Sequence, residues 1–388
     1  MDLTVEEESI LNGEEGETRQ KMMEILVGIG KVFGAERMVR IRSAQVSGAS
    51  YKTIGRWGLE WLNGLNAKAT VPAVLNPVGM DRIRWEEMGI DQEFAKNQKD
   101  VMAAYERLGI RLECTCTPYY LHITEYGDHL AWSESSAVAY ANSVIGARTN
   151  REGGPSALAA AILGVTPCYG LHLIKNRNPD LCFSVEGVPE RTDESWYGAL
   201  GYLAGKISGN RIPVFTGIRP ARDQLKNLGA AMAATGATAL YHVKDITPEA
   251  RIFNYTTTGL ETVNITGDEV AEVYASIEPD AIAIGCPHCS EEEIKKIASL
   301  LKDCSIKRPL YIFASRGVIA RCKDTVSLIE KSGAGVYADT CMVVSPALEK
   351  YRTIMVSSGK ALSYVPNMCG AKAVIGTLEE CIRAACRD

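Results

Sequence analysis

Apolar segments of strand length alternate with helical segments through the second half of the chain. Five strands are predicted there, at 212–215, 239–243, 281–284, 310–313 and 335–338. Between them, Thr266 with Glu269 and Ser290 with Glu293 have the spacing of helix capping boxes. Parallel strands need a crossover connection, which is usually a helix, so this alternation predicts βαβ units. The sequence therefore indicates an α/β fold with a largely parallel sheet.

Cysteines stand at several of the predicted strand ends, where open α/β sheets place ligands. Cys114 and Cys116 are expected to end a strand, Cys286 and Cys289 to begin the turn into a capped helix, and Cys341 to end the last regular strand. A helix N-terminus favours a thiolate. Three thiolates from separate strand ends could hold three irons of a cubane cluster and leave the fourth iron open.

The cysteine spacing alone leaves two other interpretations open. A zinc ion could be held by Cys286, His288 and Cys289 together with Cys114 and Cys116, although structural zinc usually needs two hooks of the C-x₂-C type. The cysteines could also be inert core residues, because a free cysteine behaves as a small buried hydrophobe.

The first part of the chain is predicted to be mixed α/β, with helices at 14–33 and 93–108 and a strand at 38–41. The segment 146–154 places Arg148, Asn150, Arg151 and Glu152 between glycines, which let a backbone approach a ligand closely. Arginine forks suit carboxylates and phosphates, so this segment predicts an anionic substrate. The alternative is an exposed charged loop.

Composition narrows the function classes. The 388 residues carry a formal net charge of -5, which argues against a nucleic-acid partner because such a partner normally needs a basic face. No apolar run approaches the roughly 20 residues of a membrane helix, and the acidic start lacks a signal peptide's basic region. Twelve cysteines spread over large segments fit a reducing compartment. A cytoplasmic location is expected.

Several long strings of residues occur in the same order as in a known family. They are 43–48 with 51–55, 114–119, 146–154, 285–288, and 339–341 with 344–346. With these strings the sequence resembles the aconitase X family over essentially its whole length. The resemblance implies an aconitase-like architecture, in which three α/β domains surround an iron–sulfur cluster and a fourth, swivelling domain closes over it. We expect two regions, 1–210 with the substrate loops and 211–388 with the βα repeats. Because the chain ends soon after its last helix, the swivelling domain is expected on a separate small subunit, giving a heteromer.

The resemblance also implies roles for individual residues. It places the ligands of a [4Fe-4S] cluster on Cys116, Cys286 and Cys341. Cys114 is the alternative to Cys116, and Cys289 is the alternative to Cys286. The expected catalytic residues are Glu134, Glu152 and Lys360. The expected substrate-binding residues are Ser47, Gly48, Lys52, Asn76, Arg148, Asn150 and Arg151. By analogy with aconitase, the base is expected to be a serine of the small subunit.

The implied activity is that of a hydro-lyase, with an open iron acting as Lewis acid. Two substrates are associated with the family. One is (R)-5-phosphomevalonate, which is dehydrated to trans-anhydromevalonate 5-phosphate in the archaeal mevalonate pathway, and the other is cis-3-hydroxy-L-proline. We expect the first, because a separate large subunit is typical of the archaeal members. A metal-binding scaffold without chemistry is the alternative from another class, and the crowded segment 146–154 speaks against it.

Overall fold

The structure, a computed structural model, describes residues 1–302 and 304–387. Within these residues the strands form four sheets, of which three are wholly parallel and one is a small antiparallel pair. The predicted α/β class with largely parallel sheets is confirmed.

The N-terminal part contains a three-stranded parallel sheet in the order β3-β2-β4 and the antiparallel pair β1-β5. The strands are β1 (Met38–Arg40), β2 (Ser43–Val46), β3 (Ala73–Leu75), β4 (Leu130–Trp132) and β5 (Val165–Pro167). The helices are α1 (Val5–Leu11), α2 (Glu17–Val32), α3 (Tyr51–Asn63), α4 (Gln92–Arg107), α5 (Ser135–Tyr140) and α6 (Gly154–Leu163). Helix α6 is apolar and buried along most of its length, so it forms the centre of this part of the molecule.

The middle part is built on a four-stranded parallel sheet in the order β8-β7-β6-β9. Its strands are β6 (Leu181–Glu186), β7 (Pro213–Thr216), β8 (His242–Val243) and β9 (Glu261–Thr266). Its helices are α7 (Glu194–Ser208), α8 (Arg222–Thr235), α9 (Pro248–Phe253) and α10 (Gly267–Ala271). Strands β6 and β7 lie on either side of residue 210 and pair with each other; the division of the chain into regions 1–210 and 211–388 stays a prediction.

The C-terminal part contains a five-stranded parallel sheet in the order β12-β11-β10-β13-β14. Its strands are β10 (Ala281–Cys289), β11 (Leu310–Ala314), β12 (Gly335–Tyr337), β13 (Thr353–Val356) and β14 (Lys372–Ile375). Its helices are α11 (Glu291–Leu300), α12 (Arg316–Arg321), α13 (Lys323–Lys331), α14 (Gly359–Cys369) and α15 (Leu378–Cys386).

Strand β10 shows how this sheet separates two cores. Ala281 and Ala283 pack into the core on the α14 side, whereas Ile282 and Ile284 pack into the core on the α11 and α15 side, because successive side chains of a strand point to opposite faces. Beyond Ile284 the pairing with β11 shifts register before Cys289. The residues between them are therefore released from the regular alternation.

Several elements differ from the sequence-based expectation. The five predicted strands of the second half are present, and both capping boxes form. The prediction of a strand that ends at Cys114 is wrong: the segment before it makes a single bridge, from Arg111 to Val74, and then turns, with Glu113 N donating to Arg111 O at 2.9 Å. Cys341 does not end the last strand either, because β13 and β14 follow it. Strands β2, β4, β5, β6, β9, β13 and β14 were not predicted.

No helix in the described parts of the chain is both long enough and apolar enough to cross a bilayer.

Candidate active site

A cavity of about 400 Å³ opens at the C-terminal ends of the three-stranded sheet. Ser47 follows β2, Asn76 follows β3, and Glu134 follows β4 by two residues, so the parallel arrangement brings three loops to one edge. The opposite wall comes from α14, which contributes Lys360. The residues that line the cavity are Ser47, Gly48, Ala49, Ser50, Thr53, Ile54, Asn76, Pro77, Ser133, Glu134, Ser135, Arg151, Cys341, Val343, Val344, Lys360, Tyr364 and Met368.

An ion pair between Glu134 and Lys360 occupies the wall of this cavity. Lys360 also donates to Ser136 Oγ at 3.1 Å, and Glu134 Oε2 accepts from Asn76 Nδ2 at 3.0 Å. Burial would raise the pKa of Glu134, but the charge and hydrogen bond of Lys360 outweigh it and lower this pKa to about 2. Burial would lower the pKa of Lys360, yet Glu134 holds it well above the ordinary value. Both groups are therefore charged at neutral pH.

Two of the predicted ligand thiols lie beside the chain segment that follows β3. Thr115 N donates to Leu75 O at 3.2 Å, which fixes the segment of Cys116 at the end of the strand. Cys341 N donates to Val78 O at 2.9 Å, and a parallel bridge joins Val78 to the residue before Cys341. The two cysteines, 225 positions apart in sequence, are thus anchored to neighbouring residues of one loop.

The third thiol, that of Cys286, is attached to the α14 wall. Ser358 Oγ donates to the carbonyl oxygen of Cys286 and also accepts from Ala361 N, capping the helix that carries Lys360. The register shift after Ile284 turns Cys286 into the core on the α14 side. Of the three cysteines, Cys341 lines the cavity, and Cys116 and Cys286 lie close enough to Cys341 for its charge to affect their pKa.

The same two charged groups, Lys360 and Glu134, act on all three thiols. Burial raises the pKa of Cys116 to about 12 and raises that of Cys286 and Cys341 as well. In each case the charge of Lys360 opposes the increase and that of Glu134 adds to it. The thiols are protonated on their own, and a metal would have to displace the protons on binding.

Cys114 and Cys289, the competing positions, point elsewhere. Cys289 packs in the core on the α11 side of β10, opposite to Cys286. Cys114 packs in the core of the N-terminal part, and its pKa is raised by burial and by Asp339. These two are buried core cysteines.

The donor set fits a cluster of several irons better than a zinc ion. In the described parts of the chain, 1–302 and 304–387, no three His, Cys, Asp or Glu side chains are close enough to hold a single metal ion. Both ring nitrogens of His288 have hydrogen-bond partners, which removes this residue from the zinc interpretation. Three buried thiols from three segments suit a cluster in which each cysteine binds a different iron.

The cavity also brings together most of the predicted substrate-binding residues. Ser47, Gly48, Asn76 and Arg151 line it. Arg151 donates to Ala233 O at 3.3 Å and to Tyr364 Oη at 3.5 Å. This residue therefore joins Lys360 as a cation on the cavity wall.

Four of the predicted catalytic and substrate-binding residues do not line the cavity. Lys52 forms an ion pair with Glu349 and donates to Met368 O at 2.6 Å. Asn150 holds the loop at Tyr169 and Leu171. The other two are Arg148, which faces the His129 and His172 side, and Glu152, which is bonded to Ser156 and Thr166. Their roles stay predictions.

Five cavity residues with polar side chains were missed from the sequence, namely Ser50, Thr53, Ser133, Ser135 and Tyr364. Ser133 and Ser135 flank Glu134 directly after β4, so the rule that ligands bind at strand ends could have found them. Ser133 Oγ accepts from Ser47 N at 3.1 Å and thereby joins two strand ends. Tyr364 lies four residues after Lys360 on α14, where helical periodicity puts it on the same face.

Comparisons with known proteins agree over the whole chain. Models of the aconitase X first, second and third domains match residues 1–175, 179–275 and 279–387. The phosphomevalonate dehydratase large subunit of Methanosarcina mazei is 55% identical over 99% of this chain and 97% of that protein. The corresponding subunit of Methanocaldococcus jannaschii is 46% identical over 99% of this chain and its own full length.

Two further comparisons concern an enzyme of different specificity and a solved structure. The cis-3-hydroxy-L-proline dehydratase of Hypocrea jecorina is 31% identical over the whole chain, which spans 69% of that protein. The crystal structure of Thermococcus kodakaraensis aconitase X in its holo-form superposes with a TM-score of 0.92 at 44% identity, covering 99% of this chain and all of that one. The family implies an iron–sulfur cofactor, and the three thiols fit it. The chain belongs to the aconitase X family.

Proposed function

We propose that the chain is the large subunit of a phosphomevalonate dehydratase, a hydro-lyase that converts (R)-5-phosphomevalonate to trans-anhydromevalonate 5-phosphate. The observation that carries the proposal is the set of archaeal relatives with this name, four of which are 46–55% identical over at least 94% of this chain. The hydroxyproline dehydratases are 30–31% identical, and the chain spans 69% of each.

The charges of the cavity support an anionic substrate of this kind. Phosphomevalonate carries a carboxylate and a phosphate, and the cavity wall presents Lys360 and Arg151. Arginine pairs with carboxylate and phosphate oxygens through its planar fork. We assign the binding of the two anionic groups to these side chains, with Ser47, Gly48 and Asn76 as polar neighbours.

The elimination removes a proton from the carbon next to the carboxylate and hydroxide from the following carbon, and the C–H electron pair becomes the double bond. A [4Fe-4S] cluster on Cys116, Cys286 and Cys341 would supply a Lewis-acidic iron for the departing hydroxide. Glu134 is a weak base while Lys360 pairs with it, because its pKa is about 2. A substrate anion that competes for Lys360 would weaken this pair and make the carboxylate more basic. We therefore assign proton transfer to Glu134, aided by Lys360.

A small subunit is part of the proposal. The relatives in Methanosarcina mazei and Methanocaldococcus jannaschii are named as large subunits, which implies a second chain in those enzymes. We infer that the equivalent partner carries the swivelling domain and closes the cavity.

The test is anaerobic. The chain is reconstituted with iron and sulfide, mixed with the small subunit, and given 5-phosphomevalonate or cis-3-hydroxy-L-proline separately, with mass spectrometry of the products. Loss of one water from phosphomevalonate alone is expected. Turnover of hydroxyproline alone would overturn the substrate, and no turnover of either by a protein with an intact cluster would overturn the dehydratase assignment. A Cys116→Ser sample is the control for reaction without the cluster.

A further inference from the structure

His288 makes hydrogen bonds to two of the three cysteine segments and belongs to the third. Its Nε2 lies 2.8 Å from Thr340 O, next to Cys341, and its Nδ1 lies 3.2 Å from Thr115 Oγ1, next to Cys116. Its backbone N–H donates to Cys116 Sγ at 3.2 Å. The residue itself follows Cys286 by two positions and is 1% exposed.

The chemistry of the partners fixes the direction of these bonds. A backbone carbonyl oxygen can only accept, so Nε2 carries the proton that is donated to Thr340 O. In the neutral ring Nδ1 is then an acceptor, and the Thr115 hydroxyl donates to it. Thr115 Oγ1 accepts in turn from Thr117 N at 3.1 Å. Every polar atom of the ring is used, and each bond runs to a different segment.

The three segments come from distant parts of the sequence. The Thr115 segment is anchored to β3 of the three-stranded sheet, whereas the Thr340 and Cys286 segments belong to the five-stranded sheet. Because a thiolate must reach its iron at a defined distance, the relative placement of these segments decides whether three cysteines can bind one cluster. The buried ring is bonded to both sheets, in addition to the backbone hydrogen bond from Cys341 to Val78, and so ties these segments together.

We propose that His288 is a positioning residue that holds Cys116, Cys286 and Cys341 in the arrangement needed to bind the cluster. This inference rests on the assignment of the three thiols made under the proposed function. Groups that orient metal ligands typically affect metal affinity by about 10- to 100-fold. We therefore expect the loss of the ring's hydrogen bonds to weaken cluster retention by a factor in that range.

The experiment compares substitutions at two buried histidines. His288→Phe keeps a ring and removes the hydrogen bonds, while His288→Gln keeps an N–H that can donate to Thr340 O. The matched control is His242→Phe: His242 is also 1% exposed, and its Nε2 lies 2.9 Å from the carbonyl oxygen of Arg177, on the four-stranded sheet. After anaerobic reconstitution, the rate of cluster loss to a chelator is followed by visible absorption, and the cluster's EPR spectrum and the melting temperature of each apo-protein are recorded.

His288→Phe is expected to lose its cluster at least about tenfold faster than the wild type and to show a changed EPR spectrum. His288→Gln should recover part of the retention, and His242→Phe should keep the wild-type rate and spectrum even where its melting temperature falls. A merely structural role would lower the melting temperature alone. If His288→Phe does not fold, Thr115→Val, which removes the hydroxyl that donates to Nδ1, takes its place with a smaller expected increase in the rate.

Two results would overturn the proposal and differ in what they leave standing. In the first, His288→Phe or Thr115→Val keeps the cluster and its EPR spectrum as the wild type does, while Cys116→Ser loses the cluster. This result would contradict the positioning role alone. Retention of the cluster by Cys116→Ser would remove the thiol assignment, and the positioning role with it.

Discussion

Two ion pairs in this molecule are both buried and both join residues far apart in sequence, but their surroundings differ. Lys360 and Glu134 form one pair on the cavity wall, next to the three thiols. Arg177 and Glu249 form the other, away from the cavity, between the N-terminal and middle parts. Each pair joins residues far apart in the chain and is largely shielded from solvent. A buried pair of opposite charges is therefore not by itself a mark of a functional site.

The use of the cation's donors separates the two pairs. Arg177 donates to both oxygens of Glu249, to Asn142 and to the carbonyl oxygens of Leu171 and Ala147, so all of its N–H groups are committed. Lys360 has three donors, and its bonds to Glu134 and Ser136 use two of them. The first cation is enclosed by its own protein, and the second can still bind a ligand from the cavity.

The titration of the two carboxylates separates the pairs as well. Burial raises the pKa of Glu249, and Arg177 offsets this only in part. The pKa of Glu134 is instead lowered to about 2, because Lys360 outweighs burial. The cavity pair is held by mutual attraction, whereas the enclosed pair carries a net cost of desolvation that its surroundings must balance.

The largest difference is expected when the cavity cation is removed. Lys360→Met keeps the length of the side chain and loses the charge. Burial would then raise the pKa of Glu134 and leave this carboxyl protonated, so we expect kcat to fall by about 10²- to 10⁴-fold, as for the loss of a general base. Steady-state kinetics of the reconstituted complex, with iron content measured on the same sample, checks this. A kcat close to the wild-type value at equal iron content would place Lys360 outside the reaction.

Removal of the enclosed cation should act on stability instead. Arg177→Met leaves the Glu249 carboxylate buried without its partner, and we expect the free energy of unfolding to fall by about 3–5 kcal/mol. Urea denaturation measures the loss, and the double variant Arg177→Met/Glu249→Gln should regain part of it. The kcat of the folded fraction should stay at the wild-type level; a large fall would assign Arg177 to the active site.

The pH dependence of stability should have opposite signs at the two carboxylates. The pKa of Glu134 is lower in the folded than in the unfolded protein. The difference in unfolding free energy between the wild type and Glu134→Gln should therefore be constant above about pH 5 and shrink as the pH falls towards 2. The pKa of Glu249 is raised, so the stability of wild type relative to Glu249→Gln should rise as the pH falls from neutral towards 4.5. Denaturation at a series of pH values measures both differences. Slopes of the same sign would contradict the contrast between the pairs.

The parallel strands of the second half could be predicted because their signals are local. An apolar run, a capped helix and the next apolar run are neighbours in sequence, and five strands and two capping boxes were found in this way. Strand β9 escaped because its side chains are mostly exposed, which gives no apolar run. Strands β13 and β14 each have only two buried residues, so neither gives a long apolar run.

The site was predictable where it follows strand ends and not where it depends on distant contacts. Asn76 follows β3 and Glu134 follows β4, and both predicted residues line the cavity. The sequence predicts a binding loop at 146–154, yet Arg151 is the one polar residue of this segment that lines the cavity. In an extended turn successive side chains point in different directions, and the direction depends on partners such as Tyr169 for Asn150. Those partners cannot be read from composition.

The choice between Cys286 and Cys289 shows the same limit in one strand. Simple alternation along β10 would put Cys286 on the face of Ile282 and Ile284, and Cys289 on the opposite face. The register shift after Ile284 reverses both. Gly285 makes the shift possible: its φ is +105°, and a Cβ there would lie 2.1 Å from Phe313 O. A glycine in a strand indicates such an irregularity without giving its direction.

The central claim is that Cys116, Cys286 and Cys341 hold an iron–sulfur cluster at this cavity, and the two cysteines of one motif test it most directly. Cys116→Ser and Cys114→Ser are reconstituted anaerobically side by side, and iron and sulfide are measured per chain. Cys116 lies close enough to Lys360, Glu134 and Cys341 for their charges to affect its pKa, whereas Cys114 packs in the core of the N-terminal part. We therefore predict that Cys116→Ser loses the cluster while Cys114→Ser keeps the wild-type content. Equal contents in the two variants, or loss in Cys114→Ser alone, would contradict the account.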